Sequence, residues 1–136
     1  MEIEFKSKVD IWLPLLISIL ILPLLFLLYK NKDFIFILLL MAYGGIMIYI
    51  YSFKYIICGD KLKVYNSFIL LNTYDLNDVV LLKKTHSIIS SPASSLDRLQ
   101  LIFINGKNLI ISPVDKKKFI EQVLLVNPRV NLIYKS

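Results

Sequence analysis

The chain has one cysteine and one histidine among 136 residues. A single thiol excludes an intrachain disulfide. Cys58 stands between Ile57 and Gly59 at the expected end of a strand. With no base near it in sequence, it reads as a small packing residue rather than a nucleophile. His86 has no cysteine or carboxylate cluster around it, so it reads as a surface or packing residue rather than a metal ligand. The serines beyond it (Ser87, Ser90, Ser91, Ser94 and Ser95), with Asp97, supply the residue types of a Ser-His-Asp triad. They lack the Gly-x-Ser-x-Gly elbow and any oxyanion-hole motif. Glycine is scarce too, with four in all. Gly44 and Gly45 lie in an apolar run, and Gly59 and Gly106 lie at turns, so none builds a phosphate-cradling loop. No catalytic set, metal site or cofactor is therefore expected, and the chain does not read as an enzyme.

Hydrophobic residues, by contrast, are in excess. They make up 57% of the chain, against about 45–50% in ordinary soluble domains. The excess sits in two uncharged runs, Ile11–Tyr29 and Phe34–Phe53, separated only by Lys30-Asn31-Lys32-Asp33. Each is about long enough to cross a ~30 Å hydrocarbon core as a helix. The short polar link predicts a transmembrane helical hairpin over residues 11–53, integral to a lipid bilayer. The first run lacks an Ala-x-Ala cleavage pattern, so it reads as retained rather than as a signal peptide. Pro23 predicts a kink. Gly44-Gly45 is expected to let the second helix approach the first. Trp12, Tyr29, Tyr43, Tyr49, Tyr51 and Tyr55 gather mainly toward the run ends, as interfacial side chains do.

Charge divides along the same line. Within residues 1–33, Lys6, Lys8, Lys30 and Lys32 balance Glu2, Glu4, Asp10 and Asp33, so the net charge of +6 belongs to residues 54–136. Lys6 and Lys8 precede the first run, Lys54, Lys61 and Lys63 follow the second, and Lys30 and Lys32 sit at the tip. By the positive-inside rule both termini are cytoplasmic. Residues 1–10 then form a cytoplasmic N-terminal segment.

Residues 54–136 have room for one small domain. Lys54–Cys58, Leu62–Asn66, Phe68–Tyr74, Val79–Thr85, Arg98–Ile104 and Asn108–Ile111 read as short strands of an antiparallel meander. Asn105-Gly106 predicts a type I′ turn. One helix is expected at about 113–126, with Ser112 as N-cap, Pro113 in the first position and Asp115 completing a capping box. Phe119, Ile120, Val123, Leu124 and Val126 form its apolar stripe, and Asn127-Pro128 ends it. The tail from Arg129 is left open between a further strand and a docked coil. The fold class is α+β.

A sheet of about six strands closed by one helix is the outline of a PH-like sheet or split barrel. Three segments carry a closer likeness. Phe5-Lys6-Ser7-Lys8-Val9-Asp10 leads into the apolar hairpin. Tyr55 to Val64 reads Tyr-Ile-Ile-Cys-Gly-Asp-Lys-Leu-Lys-Val. Pro92-Ala93-Ser94-Ser95-Leu96-Asp97-Arg98-Leu99 is followed by Ile110-Ile111-Ser112-Pro113 and Phe119. In these the chain resembles the YyaB-like bacterial PH-domain family of small membrane proteins. The resemblance implies a PH-like fold at a bacterial cell membrane and no particular activity.

Two polar groups remain to be placed. Asp97-Arg98 stands where a long loop re-enters the sheet. One reading is structural, with Asp97 accepting loop N–H groups and Arg98 tethering a carbonyl or carboxylate. The other makes Ser94, Ser95, Asp97 and Arg98 part of an edge that binds a protein partner. Lys116, Lys117 and Lys118 oppose the helix dipole. They read either as solvated surface or as contacts to anionic headgroups, worth up to ~1 kcal/mol per charge. The first turn of the domain, Gly59-Asp60-Lys61, has no basic cluster for a phosphoinositide. Spread charge and a membrane tether argue against nucleic acid. The expected function is a non-catalytic, membrane-anchored module that engages a protein partner at the cytoplasmic face. The alternative is a bacteriocin or toxin immunity protein. The oligomeric state stays open.

Overall fold

The computed structural model describes residues 2–31, 34–85, 95 and 97–133. Strand β1 (Glu2–Lys6) comes first, then helices α1 (Trp12–Asn31) and α2 (Phe34–Tyr51). Strands β2 (Phe53–Cys58), β3 (Lys61–Asn66) and β4 (Ile69–Asp75) follow. A 3-10 turn, Leu76–Asp78, leads to β5 (Val79–Thr85), β6 (Arg98–Phe103) and β7 (Asn108–Ile111). Helix α3 (Lys116–Val126) and a short β8 (Asn131–Ile133) finish the chain. The strands form two four-stranded sheets, ordered β1-β2-β3-β4 and β7-β6-β5-β8, and close no barrel among the described residues.

The helical hairpin is an insertion between two adjacent strands. β1 pairs antiparallel with β2, from Glu2 opposite Cys58 to Lys6 opposite Lys54. Residues 2–6 of the N-terminal segment are thus part of the sheet. The signal was in the sequence: Glu2-Ile3-Glu4-Phe5-Lys6 alternates polar and apolar. The second helix is also shorter than its apolar run. It ends at Tyr51, and Phe53 is the buried first residue of β2. Both helices are long and apolar enough to cross a membrane, and only 6% of each span is buried. That exposure is unlike the core helix of a soluble protein.

Contact between α1 and α2 uses aromatic and hydroxyl groups. The Ser18 hydroxyl lies 2.8 Å from the Tyr43 hydroxyl and donates to the Pro14 carbonyl at 2.7 Å. Tyr29 and Phe36 meet near the tip, ring centroids 5.6 Å apart. Gly44 and Gly45 do not serve as the close approach expected of them: a Cβ added at either meets nothing within 4 Å. α1 runs without a break through Pro23.

Alternation along β2 and β3 puts Tyr55, Ile57, Leu62 and Val64 on one buried face. They join Leu82, Leu99, Leu101 and Ile111 from the second sheet, and Phe119, Ile120 and Val123 from α3. The stripe of α3 is the one its sequence predicts. Its start is not: α3 begins at Lys116 with Asp115 as N-cap, whose carboxylate accepts from the Lys118 N–H at 3.0 Å. Ser112, Pro113 and Val114 run beside residues 6–8 instead. Lys8 N–H reaches the Ser112 carbonyl at 2.6 Å, and Val114 N–H reaches Lys6 at 3.0 Å. Backbone pairing there outcompetes a helical turn. β8 settles the tail, pairing parallel with β5.

The Asn105-Gly106 turn also differs from expectation. Gly106 has φ +76°, whereas Asn105 is not among the positive-φ residues. Gly106 N–H donates to Phe103 at 2.9 Å, and the Asn105 side chain accepts from Lys107 N–H at 3.0 Å. This is a three-residue hairpin with glycine in the left-handed position, in which only one residue needs positive φ.

Candidate functional site

Four chain segments distant in sequence meet at one polar cluster: the β1–α1 link, β2, the entry to β6 and the entry to α3. Its inner part is fully hydrogen-bonded. Tyr55, on β2, has no exposure. Its hydroxyl donates to Ser7 Oγ at 3.1 Å and accepts from Ser112 N–H at 3.2 Å. Ser7 and Ser112 hydroxyls lie 3.1 Å apart, and Ser112 Oγ donates onward to the Lys8 carbonyl at 3.3 Å. Burial pushes the Tyr55 phenol up from its ordinary value, and the bonds from Ser7 and Ser112 only partly oppose this. It stays a neutral donor.

The outer part is ionic. Asp97 accepts from Lys8 Nζ at 3.2 Å and from Lys116 Nζ on its other oxygen. Lys116, chiefly, and Lys8 hold its carboxyl below the usual carboxylate value, with burial opposing them. Ser95 is 1% exposed. Its hydroxyl donates to Asp10 Oδ1 at 2.8 Å and accepts from Asp97 N–H at 3.1 Å. Arg98 is buried, and its Nε–H donates to the Ser95 carbonyl. Burial draws its guanidinium pKa down, opposed by Tyr55 and Asp10; it remains charged.

The structure therefore brings Ser95, Asp97 and Arg98 together with Lys8, Asp10 and Lys116. Ser94 and His86 lie outside the described residues. Arg98 tethers a carbonyl, as its position suggested. Asp97 takes two ammonium groups rather than loop N–H groups. Lys116 is a correction to the surface expectation: it is buried on Asp97 and separated in role from the exposed Lys117 and Lys118. Among the described residues, no group of three or more His, Cys, Asp or Glu could hold a metal. A polar cleft of about 350 Å³ opens between β4 and the β6–β7 turn, lined by Asp75, Asp78, Asn105 and Lys107 among others.

The pKa of Asp97 makes a prediction. A carboxylate depressed in the folded state stabilises it above the unfolded value of 3.8, and that stability disappears as pH falls through the folded value. The urea midpoint of the native chain is expected to drop toward that of Asp97→Asn as pH is lowered from 6 to below about 4. Parallel midpoints across this range would remove the ion cluster from the acid limb.

Two open sheets with a helix packed on their shared core define a PH-like domain, a class of binding modules that are generally not catalysts. The family model for the bacterial PH domain matches residues 53–127, more than half of the chain, and the chain belongs to that family. The match begins where β2 begins, so β1 and both apolar helices lie outside it. No curated protein matches the chain significantly.

Proposed function

We propose that this chain is a non-catalytic PH module held at the cytoplasmic face of a bacterial membrane, where it engages a protein partner. The observation that carries the reading is the insertion of α1 and α2 between the paired strands β1 and β2. Two exposed apolar helices in that position tie the domain to the bilayer through two adjacent strands. The joint between α2 and β2 is the single residue Ser52, which leaves little slack. The Asp97 cluster supports a role in positioning. It clamps the β1–α1 link to the domain and anchors the C-terminal end of the Ser87–Arg98 segment, which is the proposed partner edge. Lys117 and Lys118 remain available for anionic headgroups.

Protease treatment of the full chain in membranes tests this. A C-terminal epitope after Ser136 is expected to be protected in spheroplasts and cleaved in inverted vesicles. Cleavage in spheroplasts overturns the orientation. Photocrosslinkers placed in residues 87–94 are expected to trap one defined protein. If a deletion strain instead becomes sensitive to a peptide toxin with no partner trapped, the immunity reading takes its place.

A further inference from the structure

Strands β3 and β4 are joined by a two-residue loop, Ser67-Phe68, between the paired Asn66 and Ile69. Ser67 has φ +56°. Glycine is favoured there, and the pattern of positive φ at the first loop position is that of a type II′ turn. The chain keeps a serine and places Phe68 at the tip. Phe68 is 94% exposed and Ile69 69% exposed; Leu70 and Leu71 follow, each 46% exposed. Tyr65–Tyr74 contains no charge. β4 is the outer strand of its sheet, and its first three residues are apolar on both faces. An uncharged apolar edge of this kind is an aggregation site in water. Natural edges are usually guarded by lysine, proline, a bulge or a covering element; β4 has neither residue, and its one irregularity, opposite Val64 and Tyr65, leaves Leu70 and Leu71 exposed.

Its position gives the reason. Ser67 N–H donates to the Ser52 carbonyl at 2.9 Å, and the buried Asn66 donates its Nδ2–H to the Tyr49 carbonyl at 3.2 Å. Both acceptors belong to the last turn of α2 and its exit. The loop is therefore fastened to the end of the hairpin where exposed Trp12, Tyr49 and Tyr51 gather. Tyr65 lies under Lys54 Nζ, 5.6 Å from the ring centroid. Aromatic rings with a lysine beside them mark the level of headgroups.

We propose that Phe68–Leu71 is a third membrane contact, seated in the headgroup–acyl boundary of the bilayer that α1 and α2 cross. The proposal rests on the membrane reading given above. Its occupant is lipid because the patch is continuous with the helices and carries no charge for a protein partner to read. Its depth is limited. The outer backbone groups of β4 need hydrogen bonds that hydrocarbon does not supply. The side chains enter by ~5–10 Å, and the strand backbone stays among hydrated headgroups. Three contacts fix the tilt of the domain, which two helices meeting at one end would leave free.

Single-tryptophan variants of the full chain test it. Trp12→Phe removes the native indole, and Phe68→Trp, Ile48→Trp and Ile104→Trp are added separately. All four positions are at least 45% exposed, so the core is untouched. Ile104 is an apolar control at the far end: its N–H bonds Asp78, beside the Asp60 turn that caps the other end of β2 and β3. Each variant is placed singly in discs of phosphatidylethanolamine and phosphatidylglycerol, with and without bromine on the upper acyl chain. Brominated lipid is expected to quench Ile48→Trp and Phe68→Trp about twofold and to leave Ile104→Trp unchanged. Aqueous iodide is expected to do the reverse. Quenching of Ile48→Trp without Phe68→Trp overturns the proposal and leaves the membrane reading standing. Loss of quenching at Ile48→Trp overturns both. Protection of Phe68→Trp from bromine and iodide alike means a protein surface covers it, which also overturns the proposal.

Discussion

Phe119→Ala is expected to destabilise the PH domain strongly while leaving both apolar helices intact. Phe119 has no exposure and meets Phe5 edge-on, with centroids 5.2 Å apart at 77°. It joins α3 to β1 at the centre of the core that both sheets share. Truncating a buried phenylalanine costs about 3–5 kcal/mol in transfer and cavity terms. That is a large part of the ~5–15 kcal/mol that holds a domain together. With an m-value of about 2 kcal/mol/M, the urea midpoint in micelles moves down by roughly 2 M. Pulse proteolysis reads this directly, because cleavage begins in the β domain. Phe119→Leu, which keeps most of the volume, is expected to lose well under half as much. An unchanged midpoint in Phe119→Ala would show that α3 is not the keystone of the core.

Asn127→Ala is the second large effect, and it comes from hydrogen bonds rather than packing. Asn127 is 8% exposed and caps the end of α3. Its Nδ2 group serves the carbonyls of Leu76 at 3.0 Å and of Asn77 and Val79 at 3.1 Å, and Oδ1 accepts from Arg129 N–H at 3.1 Å. These carbonyls belong to the turn that carries the chain from one sheet to the other. Removing the amide strands buried acceptors, at about 1–3 kcal/mol each when no water replaces it. A total near 3 kcal/mol is expected, read as a lower urea midpoint. Asn127→Asp separates this from simple capping. It keeps the acceptor for Arg129 but turns a carboxylate toward three carbonyls, so it is expected to be at least as destabilising as alanine. Rescue by aspartate would reduce Asn127 to a cap.

Sequence patterns identified the elements whose physics is local. The bounds of β5 and β7 match their apolar runs, and the stripe of α3 follows from spacing alone. What local pattern missed was decided by distant partners. Glu2–Lys6 alternates as a strand should, but it is five residues long beside an apolar run, so Lys6 reads only as flanking charge. Ser112 looked like a helix cap until residues 6–8 arrived to pair with it. The polar cluster shows the same limit. Asp97-Arg98 stood out as a pair, yet Lys8 lies 89 residues from Asp97 and Asp10 lies 85 from Ser95. No periodicity in one sequence reports such separations. By sequence Lys8 reads as a topogenic charge, whereas the fold uses it as an ion-pair partner.

The pairing of β1 with β2 also sets an order of events. During synthesis β1 emerges first, and its neighbour follows only after residues 7–52. Closing so long a loop is entropically unfavourable for a free chain. On the membrane reading proposed above, the two helices bring the ends side by side, and insertion precedes closure. Until then Phe5 cannot reach Phe119, and the β1 edge of β2 stays bare. A chain that missed the membrane would then keep an open sheet edge and an incomplete core, the features that chaperones and proteases read. On that reading, the same strand pair that joins the domain to its hairpin ties completion of the fold to delivery.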